Sequence, residues 1–342
     1  MTDLKRVFIS DVHMSSGAAV TPPPGQHAYG WLSPAKAKRL GAFLKSDELT
    51  DCRQLFLVGD IVDTWICPHD VKPPTAIEIL DAPHNRPVVE GLKAFAAKPG
   101  NWIYWIEGNH DAGAGAEAAH HIAPNVSFVT GGLDDPPLYI HHGHENSLFN
   151  APDPAGREFP LGYYISRFVA TAAARGLAPV GLNLQLIWKK RDELLAFVKG
   201  QPLAVSVLNA VCDAAHINPN SPDEHVVMPD GSKPLVSKIR EQYQNLTDDW
   251  EHSGLGSWKD ALACEWDPFY SMGASSDCIY IMGHSHGWFP GGSPGMASTR
   301  YRNLGAWCGK EAHYATSYLE DAGKGVKEMK VTLSKWGPDI DE

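Results

Sequence analysis

The sequence predicts an α/β fold of two sheets packed face to face, interrupted by a helical insertion. Three observations predict it. Short apolar runs alternate with amphipathic segments through the first 106 residues, which implies right-handed strand–helix–strand crossovers and a largely parallel sheet. After residue 286 the pattern turns to alternating residues, the mark of a second, antiparallel sheet packed on the first. Between these parts, residues 148–275 are Ala- and Leu-rich with interspersed aromatics and read as an inserted helical cap.

The first strand covers 6–10 and ends in Asp11-Val12-His13. Residues 14–32 are a Gly- and Pro-rich loop. Ser33-Pro34 then starts a helix, Ser as N-cap and Pro at the first helical position. Its apolar face is Ala37, Leu40, Phe43 and Leu44. The second strand, 55–58, ends in Gly59-Asp60-Ile61-Val62-Asp63. A Pro-punctuated loop over 67–87 leads to a helix over 88–98 that turns Val88, Val89, Leu92, Phe95 and Ala96 inward. The third strand, 102–106, ends in Gly108-Asn109-His110-Asp111, after a Gly that lets the chain turn sharply. A short helix is expected over 114–122. A fourth strand, 138–141, ends in His142-Gly143-His144-Glu145. A fifth, 278–282, ends in Gly283-His284-Ser285-His286.

Within the insertion, helices are expected over 162–174, 183–199, 203–215 and 236–250, with a polar loop over 216–234. The alternating segments are 299–303, 312–319 and 326–333. The last two are joined by Asp321-Ala322-Gly323-Lys324-Gly325, a hairpin signal. The expected division is a core of 1–147 and 276–335, a cap of 148–275 and a C-terminal tail of 336–342.

Bulk properties narrow the partners. The formal charge of −11 argues against an extended nucleic-acid surface. It leaves a phosphate ester open as substrate, because a bound metal reverses the local potential. The six cysteines form no CxxC pair, so free thiols in a reducing compartment are expected. No run approaches the roughly 18 apolar residues of a membrane span, and the N-terminus lacks the apolar core of a signal peptide. A cytoplasmic location follows as the expectation. The sequence does not indicate an oligomeric state.

The five strand tips carry the chemistry. In open α/β sheets ligands bind beyond the carboxyl ends of the strands, so the tips should meet. They bring Asp11, His13, Asp60, Asn109, His142, His284 and His286. Four imidazoles, two carboxylates and one amide exceed what one tetrahedral zinc takes. They suit two divalent transition-metal ions with a shared carboxylate. Nitrogen donors point to Mn, Fe, Co, Ni or Zn rather than Ca or Mg. A pair of ions about 3.5–4 Å apart is an arrangement for hydrolysing phosphate esters.

These blocks resemble the calcineurin-like metallophosphoesterase superfamily, with its pattern of D-x-H, G-D-x-x-D, G-N-H-D/E, H and G-H-x-H. All five are present, across roughly 1–147 and 276–335, and the cap is left uncovered. The resemblance implies a four-layer α-β-β-α sandwich of two packed mixed sheets with an inserted helical cap. It implies that Asp11, His13 and His286 hold one ion, that Asn109, His142 and His284 hold the other, and that Asp60 bridges. Mn or Fe is favoured, with Zn next. His110 contacts the phosphate and assists the leaving oxygen, and Asp63 orients His110. The attacking group is a metal-bridging hydroxide. Asp111 is read as a local, turn-stabilising carboxylate.

His141 and His142 cannot both face the metals, because alternate strand residues point to opposite sides. The family places its ligand just before a Gly, which selects His142. His144, Arg157 and Asn303 are candidate substrate contacts. Asn303 could also support the metals from behind, and Arg167 and the run Lys189-Lys190-Arg191 are further possible phosphate contacts. The chain looks most similar to the UDP-2,3-diacylglucosamine pyrophosphatase branch. It departs from that branch at His110, at His144 and in its longer insertion, which points to a broader phosphoesterase.

The expected function is therefore hydrolysis of phosphodiester or pyrophosphate bonds on a small-molecule phosphate ester. A phosphomonoesterase or nuclease with the same site is the alternative within the enzyme class. A non-catalytic scaffold on this fold is the alternative outside it, and it would be expected to lose ligands. All seven are present.

Overall fold

The computed structural model describes residues 5–177, 202–270, 278–289, 300–321 and 327–340. The expected helix over 183–199 and the basic run Lys189-Lys190-Arg191 lie outside them. Among the described residues the fold class holds: two mixed sheets packed together, with helices around them. One sheet contains β1 (Lys5–Ile9), β2 (Cys52–Val58), β3 (Trp102–Ile106) and β4 (Val126–Val129) in parallel order. β10 (His313–Asp321) and β11 (Lys327–Lys335) extend it antiparallel beyond β1. The other contains β5 (Leu133–Asp135), β6 (Leu138–Ile140), β7 (Ile279–Met282), β9 (Tyr301–Leu304) and β8 (Trp288–Phe289), in that order.

The division of strands between the sheets differs from the expectation. The strands over 138–141 and 278–282 belong to the second sheet, and the C-terminal hairpin joins the first. The cause is chain length. A parallel neighbour needs a crossover of a dozen or more residues. The helix Gly115–Ile122 supplies that crossover for β4, which the sequence reading missed. The few residues after β4 suffice only for the antiparallel pair β5–β6, which starts the other layer. Alternation in the C-terminal strands reports one buried face and says nothing about which sheet they join. β10 pairs with β1, Val7 opposite Thr316.

The sandwich interior joins Phe8, Phe56, Val58 and Ile106 of the first sheet to Leu138, Ile140, Ile281 and Leu304 of the second. The outer face of the first sheet packs on the helices Pro34–Leu44, Arg86–Ala96 and Gly115–Ile122. Ser33 caps the first of these by accepting from the Lys36 N–H. All the inward residues expected of the first two helices are buried. On the second sheet, Tyr280, Met282 and Tyr301 are covered by Phe269, at the end of the insertion. Trp336, assigned to the tail, packs against Phe43 with ring centroids 5.3 Å apart.

The helices of the insertion build a separate hydrophobic core, with Leu148, Phe149, Tyr163, Phe168, Val211, Tyr243 and Trp250 among its members. The helix expected over 236–250 is two, Val236–Gln242 and Leu246–His252. A further helix, Trp258–Cys264, follows and ends at Glu265. Arg167 is not a phosphate contact. It is fully buried, and its guanidinium donates to the carbonyls of Cys67, Pro68 and Val227 and to the Tyr163 hydroxyl.

Candidate metal centre

The tips of β1, β2, β3, β6 and β7 converge where the two sheets meet at their carboxyl ends. The backbone there is interlocked. Asp11 N–H donates to Gly59 O, His13 N–H to Asp60 O, and Thr64 N–H to His110 O. Motif glycines of one tip make room for side chains of another. Gly59 has φ +78°, and a Cβ on it would overlap the His142 ring. A Cβ on Gly108 would strike Asp60, and one on Gly283 would strike Asp11.

Asp11, His13, Asp60, His284 and His286 all adopt left-handed φ values between 51° and 67°. Among the described residues only one other non-glycine, His216, does so. Each such residue costs roughly 1–3 kcal/mol, and strain of this kind concentrates at functional sites.

Three groups of side-chain donor atoms lie within 4.8 Å of one another: His13, His286 and Cys308; His13, Asp60 and His110; Asp60, His142 and His284. Asp60 is common to the last two. Its Oδ2 is 3.5 Å from His13 Nε2 and 3.1 Å from His142 Nε2. Asp11 Oδ1 is 3.3 Å from His286 Nε2, and His13 Nε2 is 3.1 Å from His286 Nε2.

Hydrogen bonds on the far sides of the rings fix how they face. His13 Nδ1 donates to Asp63 Oδ2 (3.1 Å), and His142 Nδ1 donates to Val58 O (2.9 Å). In both, Nε2 is the atom turned to the cluster, an arrangement shared with metal-ligating histidines. His142 Nε2, His284 Nε2 and Asn109 Oδ1 are buried without a hydrogen bond. His142 Nε2 approaches Asp60 at 3.1 Å without hydrogen-bond alignment, as two ligand atoms around one ion would. Unsatisfied buried donors and acceptors are costly. Two divalent ions among these residues would satisfy them, and the donor set fits transition metals.

Electrostatics agree. Burial opposes charge at Asp60, yet His142, His110 and His13 hold its carboxyl well below the ordinary range. Against the same burial, Asp60 and Asp11 hold the His142 imidazole up at about 10. The Asp63 and Asp60 carboxylates hold His110 up at about 9. A cluster that raises two buried imidazoles draws positive charge.

Asp63 does two things at once. Its Oδ1 accepts from His110 Nδ1 (2.8 Å) and from the N–H groups of Trp65 and Ile66, while Oδ2 takes His13. It therefore orients His110 and also caps its own turn. Asp111 accepts from the Ile61 and Val62 N–H groups, the Gly108 N–H and the Trp105 indole. It ties the second tip to the third. Burial and Asp60 push its carboxyl up to about 7, against those donors.

His142 is fully buried in the cluster. His141 stacks on Tyr139 and pairs with Asp134 instead. His144 is buried 5.4 Å from the His142 ring, and burial pushes it down to about 4. Two candidate substrate contacts have partners within the protein. Asn303 is fully buried beneath the Gly-His-Ser-His loop and donates to Gly283 O, Ser285 Oγ and the Tyr301 hydroxyl, so it holds that loop. Arg157 is engaged within the cap by Asp153 and Asp249, over the Tyr243 ring.

Sequence reasoning missed Trp31, Trp65, Cys308, Asn150 and Glu265. Trp31 lies 4.5 Å from the His13 ring and 4.9 Å from the His286 ring, and Trp65 lies 4.5 Å from the His110 ring. Trp31 follows no strand tip, and Trp65, two residues past Asp63, is neither a ligand nor an acid–base group, so no motif marks either.

Fold and site together define a two-sheet α/β protein with a buried His/Asp centre suited to two divalent ions. No protein-family model matches the sequence, and no curated protein matches it. Among solved structures the chain is similar to a dimetal phosphatase from Danio rerio, at 12% identity over 98% of each chain and a TM-score of 0.38. A likeness that loose transfers no activity. Among the described residues no helix is long and apolar enough to cross a membrane.

Proposed function

We propose that this chain is a calcineurin-like metallophosphoesterase with a dinuclear centre, acting on phosphodiester or pyrophosphate bonds of small molecules. The observation that carries the reading is Asp60, whose carboxylate serves two groups of donor atoms at once. Asp11, His13 and His286 form one half of the centre, and Asn109, His142 and His284 the other. When bound, two ions, Mn or Fe by preference, supply Lewis-acid polarisation of a phosphoryl group and a nucleophile at neutral pH.

The protein side chains do the rest. His110 is fixed through Nδ1 by Asp63, so Nε2 is the atom offered to substrate. The Asp63 carboxylate at Nδ1 favours a proton on the ring, and His110 serves as general acid to the leaving oxygen. Trp31 and Trp65 flank that ring and limit water around it. The core is 1–147 and 276–335, with 148–275 as cap. Described cysteines are free thiols, which suits a reducing, cytoplasmic setting.

Metal analysis of the purified protein should find near two transition ions per chain. Fewer than one, after growth with Mn or Fe, overturns the reading. A panel of bis-p-nitrophenyl phosphate, p-nitrophenyl phosphate, cyclic nucleotides and UDP-sugars, run with each metal, assigns the ester class. Preference for the monoester would overturn the diester assignment.

A further inference from the structure

Asn109 presents a chemical ambiguity. Its side-chain amide has one end that can ligate a cation and one that cannot, and the two are nearly the same shape. A ligand role requires Oδ1, not Nδ2, to face the centre. Nothing in the core strands fixes that choice, but the cap does.

Asn109 Nδ2 donates to Asn150 Oδ1 (3.3 Å). Asn150 Nδ2 in turn donates to Glu265 Oε2 (2.6 Å). Glu265 Oε1 accepts from the Phe149 N–H (2.6 Å). A carboxylate only accepts, so it dictates the direction of the whole chain. Asn150 must turn its NH2 to Glu265, hence its oxygen to Asn109. Asn109 must then turn its NH2 to Asn150, and its Oδ1 is left buried without a hydrogen bond. Asn150 is held in place, since a Cβ on Gly162 would overlap its Oδ1. Glu265 Oε2 also lies 3.7 Å from His284 Nε2, on the same half of the centre.

We infer that Glu265 is a positioning residue of the second half of the centre: through Asn150 it sets which end of the Asn109 amide faces the ion. This rests on the dinuclear reading. The cap is then part of the metal centre and not only a cover over it. His13 and His142, by contrast, are oriented by Asp63 and Val58, outside the cap.

Replacing Glu265 by Gln keeps the shape and adds a donor. With the glutamine oxygen accepting from Phe149, its NH2 faces Asn150 and reverses both amides, turning Asn109 Nδ2 toward the ion. In a titration of metal-stripped protein with Mn²⁺, wild type should take up two ions. Glu265→Gln should bind one as wild type does and the other 10–100-fold more weakly, the usual loss when a ligand's orienting partner is changed. Asn150→Leu should do the same. The double variant Glu265→Gln, Asn150→Asp restores an acceptor facing Asn109 and should recover most of the affinity, which a merely structural role would not allow. If both single variants hold two ions with wild-type affinity, the relay is overturned and the dinuclear reading stands. If wild type itself takes up fewer than two, both fall. Should Glu265→Gln fail to fold, Asn150→Leu decides alone.

Discussion

The two halves of the proposed centre are built differently. In the half of Asp11, His13 and His286, every close partner comes from the core: Asp63 behind His13, the Asp11 carboxylate against His286, and Trp31 over both rings. In the half of Asn109, His142 and His284, two of the three ligands lean on the insertion, through Asn150 and Glu265. Asp60 belongs to both. One half is thus set by core residues alone, while the other also depends on the insertion. The difference predicts unequal dependence on the cap, and substitutions can separate the halves.

The largest effect should come from Asp60, because it is shared. Asp60→Asn removes a charged donor from both halves. Metal analysis should fall from near two ions to below one, and turnover by at least ~1000-fold, the loss of several kcal/mol of transition-state stabilisation. Melting should remain cooperative. If only one ion is lost, Asp60 is not the bridge.

Asp63→Asn should sharpen the contrast. It touches His13 and His110 but none of Asn109, His142 and His284. Affinity for one ion should fall 10–100-fold with the other unchanged. It should also lower the His110 pKa, because the Asp63 carboxylate is the largest influence raising it against burial. The basic limb of the pH–rate profile then moves to lower pH. Equal loss at both ions would dissolve the distinction between the halves.

Metal-stripped protein offers a smaller test. His110 and His142 are raised to about 9 and 10, above the unfolded value near 6.5. Their stabilisation is fully present below that value and is lost as pH rises through 9 and 10. The melting temperature of the stripped protein should therefore decline between pH 7 and 9. In Asp63→Asn that decline should shrink to the His142 share. A flat profile would mean that the two imidazoles are not charged in the folded chain.

Much of this was legible in the sequence, for a physical reason. Strand tips are local: an apolar run, a glycine and a ligand lie within a few residues, so Asp11, His13, Asp60, Asn109, His110, His142, His284 and His286 could all be singled out. The assignment of strands to sheets was not legible, because alternation records a buried face and not a neighbour. Trp31, Cys308, Asn150 and Glu265 reach the centre from loops and helix ends, where no period or motif accompanies them. Arg167 shows the reverse error. An arginine in a helical segment looks like an anion contact until the carbonyls that hold it are seen.

Arg157 provides the smallest and most selective test of the core–cap contrast. Its guanidinium pairs with Asp153 and Asp249 over the Tyr243 ring, all within the cap. Partly exposed ion pairs are worth up to about 1 kcal/mol. Arg157→Ala should therefore lower the melting temperature by only a few degrees. Because the residue is spent on cap packing, both ions should bind as in wild type, and kcat and KM should stay within about twofold, under the ~0.4 kcal/mol that such a change represents. A rise in KM with kcat unchanged would restore Arg157 as a substrate contact, and would mean that the cap reads the substrate through this side chain and orients the metal ligands through Glu265.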